Sequence, residues 1–239
     1  MEKHVKGIFK NRPNRFIAEV EIDGEIEKVH VPNTGRCKEL LVDGAIVYLT
    51  KSNNPKRKTK YTLHFVMNRG ELVSIYSQEA NSIVFDAIKS GKIKELSSYS
   101  HHAREKQVDN SRIDIYLANE EDDCCGMNFL TNSTYVEVKG VTLVEKDIAL
   151  FPDAPTERGV KHLNELIKLK KEGNRAIVFF LIQHPIANSF KPNWENDPEF
   201  AKTLNKAHSQ GVEILVYKCK NNLEGIELIP KSLKFDLKK

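Results

Sequence analysis

The first third of the chain alternates apolar and polar residues in short runs, and each run reads as a strand with one face turned to a core. Strands are predicted over 16–22, 27–31, 45–51, 61–67 and 71–77, separated by turns at Asp23-Gly24, Asp43-Gly44 and Arg69-Gly70. A brief helix around 37–41 follows the Pro32-Asn33-Thr34-Gly35 bend. Five short strands in this space predict a small barrel of OB type, an architecture whose exposed face and loops carry nucleic acids.

After residue 78 the period changes. Asn81-Ser82 opens a helix whose stripe of Ile83, Val84, Ala87 and Ile88 ends at Gly91. Strands follow over 103–108, 113–117 and 135–142, and the run Glu120-Glu121-Asp122-Asp123 between the last two reads as a solvated turn. Residues 151–159, Phe-Pro-Asp-Ala-Pro-Thr-Glu-Arg-Gly, form a constrained loop entering a helix whose inner face is marked by Leu163, Leu166 and Ile167, with Lys170 at its edge. Residues 175–182 are almost continuously apolar, as a buried parallel strand requires. Asp197-Pro198 opens a further helix through His208, and 212–217 is a last apolar strand. Helix, three strands, helix, strand, helix, strand predicts an α/β structure around a central mixed sheet. The expected organisation is a barrel domain over 1–78 and an α/β domain over 79–239.

Composition narrows the function classes. With 239 residues and 40% hydrophobic content the chain can bury a real core. No apolar run approaches a membrane span and the N-terminus lacks the apolar stretch of a secretory signal, so a cytoplasmic protein without membrane association is expected. Cys37, Cys124, Cys125 and Cys219 show no Cys-x-x-Cys spacing, which predicts reduced thiols and no structural zinc. The net charge of +4 is uneven: residues 1–78 hold 14 Lys/Arg against 9 Asp/Glu. A polyanion would meet that part first. Within it, Lys56, Arg57, Lys58 and Lys60 crowd one loop, either a solvated hairpin tip or a phosphate contact.

The candidate chemistry lies in the second part. Asp114 sits on one predicted strand and Glu137-Val138-Lys139 on the next, where alternation puts Glu137 and Lys139 on one face. Two carboxylates and an ammonium can serve metal-dependent phosphodiester hydrolysis. Asp114, Glu137 and the Val138 carbonyl would hold Mg2+ or Mn2+, and Lys139 would orient water or steady charge on the phosphorus oxygens. Against this stands a solvated strand face, but charges inside an otherwise buried strand point to function. Arg112, Arg158 and Lys161 are candidate phosphate contacts. His162 is either a further contact or an ordinary surface histidine, and Gln183 either faces the metal site or caps its strand. Trp194 is read as packing.

Five motifs, Val31-Pro-Asn-Thr-Gly35, Asn54-Pro-Lys-Arg57, Ser111-Arg-Ile-Asp114, Tyr135-Val-Glu-Val-Lys139 and Phe151 to Gly159, together resemble the sugar fermentation stimulation protein A family of bacteria and archaea. The resemblance spans nearly the whole chain. It implies an OB-like domain followed by a domain similar to PD-(D/E)xK nucleases, DNA binding without sequence preference, and a regulatory role in maltose use. Mapped onto that nuclease motif, Asp114 is the first acid, Glu137 the second and Lys139 the lysine; Ile113 replaces the motif's proline, and Gly140 stands where a small polar residue is expected. The leading expectation is a DNA-binding protein with a metal-dependent nuclease site. The alternative is a catalytically inactive DNA-binding regulator linked to sugar metabolism, although no helix-turn-helix signature is evident. A nucleotide or small-molecule hydrolase ranks last because no phosphate-cradling glycine loop is present.

Overall fold

A computed structural model describes residues 4–33, 35–54, 56–108, 111–119 and 133–239. The acidic run 120–123, Cys124 and Cys125 lie outside the described residues. The first third is a closed barrel. Strands β1 (Val5–Asn14), β2 (Ile17–Ile22), β3 (Glu25–His30), β4 (Ile46–Lys51) and β5 (Tyr61–Asn68) pair in the cyclic order β1-β2-β3-β5-β4. One parallel bridge, His30 opposite Thr62, completes the ring. This is the five-stranded OB arrangement. Alternate residues of these strands, among them Val20, Val29, Leu49, Leu63 and Val66, fill its interior.

The barrel's fifth strand is not the one expected. β1 was absent from the predicted set, and β6 (Glu71–Ser74) is an extra strand beside β5 rather than a stave of the ring. β1 escapes a period-of-two reading because it buries only Gly7 and Phe9 and shifts register twice along β2. Gly7 is needed there, since a Cβ would lie 2.5 Å from Val20 Cγ1. The brief helix expected at 37–41 is instead a turn, in which Leu40 and Leu41 N–H both donate to the Cys37 carbonyl. Cys37 takes φ 47°, which a helix cannot accommodate.

Beyond the barrel a six-stranded mixed sheet has the order β15-β14-β12-β9-β8-β7. Its strands are β7 (His101–Val108), β8 (Ser111–Ala118), β9 (Thr134–Val141), β12 (Arg175–Ile182), β14 (Glu213–Asn222) and β15 (Gly225–Leu228). β9, β12 and β14 run parallel, and the outer pairings are antiparallel. Helix α1 (Glu79–Lys89) covers one face against Val136, Val138, Phe179 and Leu181. Helices α2 (Glu157–Lys171) and α3 (Pro198–Ser209) cover the other against Tyr135, Val178, Phe180 and Ile182. A small flanking sheet of β10 (Val144–Glu145), β11 (Ile148–Phe151), β13 (Ser189–Pro192) and β16 (Lys234–Phe235) was not anticipated, its strands being too short to show a period.

One residue fixes both helices of the second face. Asp197 Oδ1 accepts from Phe200 N–H, capping α3, while its Oδ2 accepts from Thr156 N–H at the start of α2. Thr156 in turn accepts from Gly159 N–H. The aim of α2 is thus set by caps rather than by packing alone.

Candidate active site

β8 and β9 pair up to Ile115 opposite Val136, and beyond that point the ladder opens. Asp114 occupies the opening: its Oδ2 accepts from Val138 N–H at 2.8 Å, taking up a donor that the next rung would have used, and its Oδ1 accepts from Asn81 Nδ2 at 2.7 Å. Side-chain alternation breaks at the same place. Ile113 belongs to the core under α2, whereas Ile115 and Leu117 belong to the core under α1. On the outer side, Glu105 of β7 sits opposite Asp114 with φ 56° and no register shift.

Glu137 points beneath α2 and is 2% exposed. Its Oε1 accepts from Lys139 Nζ at 2.7 Å and meets His162 Nδ1 in a short contact, while Arg158 Nε donates to His162 Nε2 at 3.4 Å. The other oxygen, Oε2, is buried with no protein donor. His162, whose two roles the sequence left open, is a buried partner of Glu137. Its place was legible, because it precedes Leu163 and lies four residues before Leu166 on the apolar stripe. Asn81 gave no such signal beyond its place at a helix start.

The two carboxyls respond oppositely to their surroundings. Burial, then the nearby charge of Glu137, raises Asp114 to about 6, against the opposing pull of Val138 N–H, Lys139 and Asn81. Burial also pushes Glu137 upward, but Lys139 and His162 together outweigh it and hold Glu137 below the usual carboxylate range. Divergent environments of this kind separate the roles of paired acids.

An open cleft of about 570 Å³ adjoins the pair, lined by Ser111, Arg112, Glu157, Arg158, Lys161 and His162. The candidate cations Arg112, Arg158 and Lys161 are therefore brought together; Arg112 also pairs with Glu105, and Lys161 with Glu165. Lys56, Arg57, Lys58 and Lys60 are exposed on the β4–β5 loop, which lines none of this cleft, and Lys60 pairs with Glu27 at 2.9 Å. Gln183 does not face the acids. It turns to the barrel, donating to Ser74 Oγ and the Tyr76 carbonyl, and its Oε1 would lie 2.7 Å from a Cβ at position 140. A side chain at position 140 would therefore have to displace the Gln183 amide. Trp194 is half-buried with its indole N–H on the Leu237 carbonyl, and Cys37 and Cys219 are buried free thiols. No described helix is long and apolar enough to cross a membrane.

Comparison with known proteins follows the same two parts. The family model described as SfsA N-terminal OB domain matches residues 11–75, and that described as sugar fermentation stimulation protein RE domain matches residues 78–225. A curated sugar fermentation stimulation protein homolog of Methanobrevibacter smithii is 76% identical over 98% of each chain. One from Thermoanaerobacter pseudethanolicus is 50% identical over 90% of each. A solved structure, Pyrococcus furiosus SfsA in complex with Ca2+, shares 31% identity and superposes with a TM-score of 0.86, covering 99% of this chain and 98% of that one.

Proposed function

Since the chain belongs to the sugar fermentation stimulation protein family, we propose that it binds DNA without sequence preference and hydrolyses phosphodiesters with a divalent cation at Asp114 and Glu137. The observation that carries this reading is the opened β8–β9 ladder, which sets the half-buried Asp114 carboxyl within electrostatic reach of the buried Glu137 and the Lys139 ammonium, near a cationic cleft.

The donor set fits a hard cation. Glu137 Oε2 is a buried oxygen without a protein donor, and each Asp114 oxygen keeps a lone pair beyond its one hydrogen bond. Among the described residues no three His, Cys, Asp or Glu side chains converge as a cage, so the Val138 carbonyl, water and a substrate oxygen would complete the shell. Mg2+ or Mn2+ suits such a partly open site, and the Pyrococcus relative is described with Ca2+, another cation that takes oxygen ligands. When bound, the cation supplies Lewis-acid polarisation of the phosphate and lowers the pKa of water. Lys139, fixed by Glu137, places a positive charge where the attacked phosphate gains negative charge. Arg112, Arg158 and Lys161 hold the flanking phosphates, and Lys56, Arg57, Lys58 and Lys60 add long-range attraction.

A second reading, a binding module without catalysis, draws on the same geometry: Glu137 Oε1 already has Lys139 and His162 as partners, as the carboxylate of a purely structural ion pair would. Incubation of the full chain with labelled single- and double-stranded DNA separates the two. Cleavage with Mg2+ or Mn2+ that is lost with EDTA and in Glu137→Gln supports the enzyme. If the parent protein leaves every substrate uncut with both cations, the binding module stands instead.

A further inference from the structure

A second cleft lies between the barrel and the entry to α2. It consists of two connected cavities, of about 520 and about 290 Å³, that share Arg15, Gly35, Ala154 and Pro155. The barrel wall carries Arg15, Arg36 and Lys38, all exposed, and no carboxylate among the described residues forms an ion pair with any of them. Among the described residues Asp153 is the one acid in the lining of either cavity, and its Oδ2 accepts from Cys37 N–H.

The wall is preorganised. The Arg12 guanidinium donates to four backbone carbonyls, those of Arg15, Asn33, Gly35 and Arg36, at 2.7 to 2.9 Å. One side chain therefore ties the β1–β2 turn to the segment after β3 and fixes the backbone on which Arg15 and Arg36 stand. Asn14 Oδ1 accepts from both Phe16 and Ile17 N–H, which holds the turn from inside. At its tip Phe16 is 51% exposed, and the other large hydrophobics exposed among the described residues are all aliphatic. Phe16 directly follows Arg15 in this turn, so an exposed aromatic ring and an exposed cation share one short segment, the combination that binds unpaired bases and their phosphates.

The cleft also leads somewhere. Its inner end includes Gly140, which directly follows Lys139, and Thr156, the cap of α2. Within the first two turns of α2, Arg158 and His162 line the other cleft, where His162 contacts Glu137.

We propose that this cleft is a channel for single-stranded nucleic acid, in which Arg15, Arg36 and Lys38 hold phosphates, Phe16 stacks on a base, and the strand is led toward Asp114 and Glu137. The assignment rests on the nucleic-acid-binding reading above and adds to it a strandedness and a path.

Fluorescence anisotropy of a labelled oligothymidylate, titrated with the full chain in EDTA over a salt series, tests it. Replacing Arg15, Arg36 and Lys38 together by alanine should lower the slope of log affinity against log salt by about 2, at roughly 0.7 per contact for a single strand. Phe16→Ala should weaken the oligonucleotide about 5- to 150-fold while leaving a duplex of equal length unchanged, and Phe16→Trp should restore binding. These substitutions are on exposed side chains, so circular dichroism should match the parent. A parent that binds the oligonucleotide with a slope the triple variant does not alter overturns the channel and leaves the binding reading intact. Equal loss on duplex in Phe16→Ala overturns the single-strand assignment. A parent that binds neither form overturns both.

Discussion

The joint between barrel and sheet and the acid pair under α2 both bury polar side chains, yet they do so with different chemistry. Around Gln183 and Asn221 at the joint the groups are neutral. Asn221 Nδ2 donates to the carbonyls of Leu72 and Gln183, and Gln183 Nε2 reaches Ser74 and Tyr76. Under α2 the groups carry charge, and each depends on its neighbours: Glu137 on Lys139 and His162, Asp114 on Asn81 and a main-chain N–H. Losing a neutral partner costs one hydrogen bond and its desolvation, whereas losing one member of a buried charged set exposes the others to the full penalty of burial. Polar burial around Gln183 serves assembly, whereas of the two acids folding disfavours the charge of Asp114 and favours that of Glu137.

The sharpest break of this contrast is Lys139→Ala. Glu137 would keep His162 as its one side-chain partner among the described residues, and stability should fall by about 3 to 5 kcal/mol, read from urea midpoints. Adding Glu137→Gln should recover most of the loss. A single variant that loses under about 1 kcal/mol would make the two regions energetically alike.

Asp114→Asn should act with the opposite sign. Asp114 titrates near 6 in the folded chain against an ordinary 3.8, so folding disfavours its ionised form. The resulting cost is full above pH 6, fades as the pH falls from there, and is gone only below 3.8, where both states hold the proton. The variant should therefore be more stable than the parent at pH 8, by up to about 3 kcal/mol, and equal to it at pH 3.5. Its amide can keep both hydrogen bonds if Asn81 presents its oxygen instead. Calorimetry with Mn2+ on the same variant should show sharply weakened binding, since the carboxylate charge is gone with little change of shape.

The smallest effect belongs to the joint. Asn221→Ala should cost about 2 kcal/mol, independent of pH, by leaving the carbonyls of Leu72 and Gln183 without that donor. A cost that varies with pH would mean that charge enters the joint as well.

Much of this was readable from the chain. The runs 61–67 and 175–182 fall on β5 and β12, because both strands bury most of their apolar residues, β12 on both faces. Asp114 and Glu137 were readable as acids placed where strands should be apolar. Phe9 and Gly7 of β1 were not, since a register-shifted strand with a glycine at its tightest contact shows no period. Neither was Asn81, whose contact with Asp114 spans 33 residues and depends on how α1 lies over the sheet. Arg12 looked like one more surface cation; its role appears only when two distant loops bring four carbonyls to one guanidinium. Local pattern records burial, and such convergence is tertiary.

The kink at Glu105 reaches beyond the acid it faces. Among the described residues β7 is the outer strand of the six-stranded sheet, and a sheet edge invites a neighbouring chain to add a further strand. Glu105, at φ 56°, interrupts that edge midway, with exposed Arg104 and Lys106 on either side. A strand from another molecule would find no continuous row of donors and acceptors and would have to strip water from three charges. The distortion opposite Asp114 therefore also protects the protein from edge-to-edge aggregation.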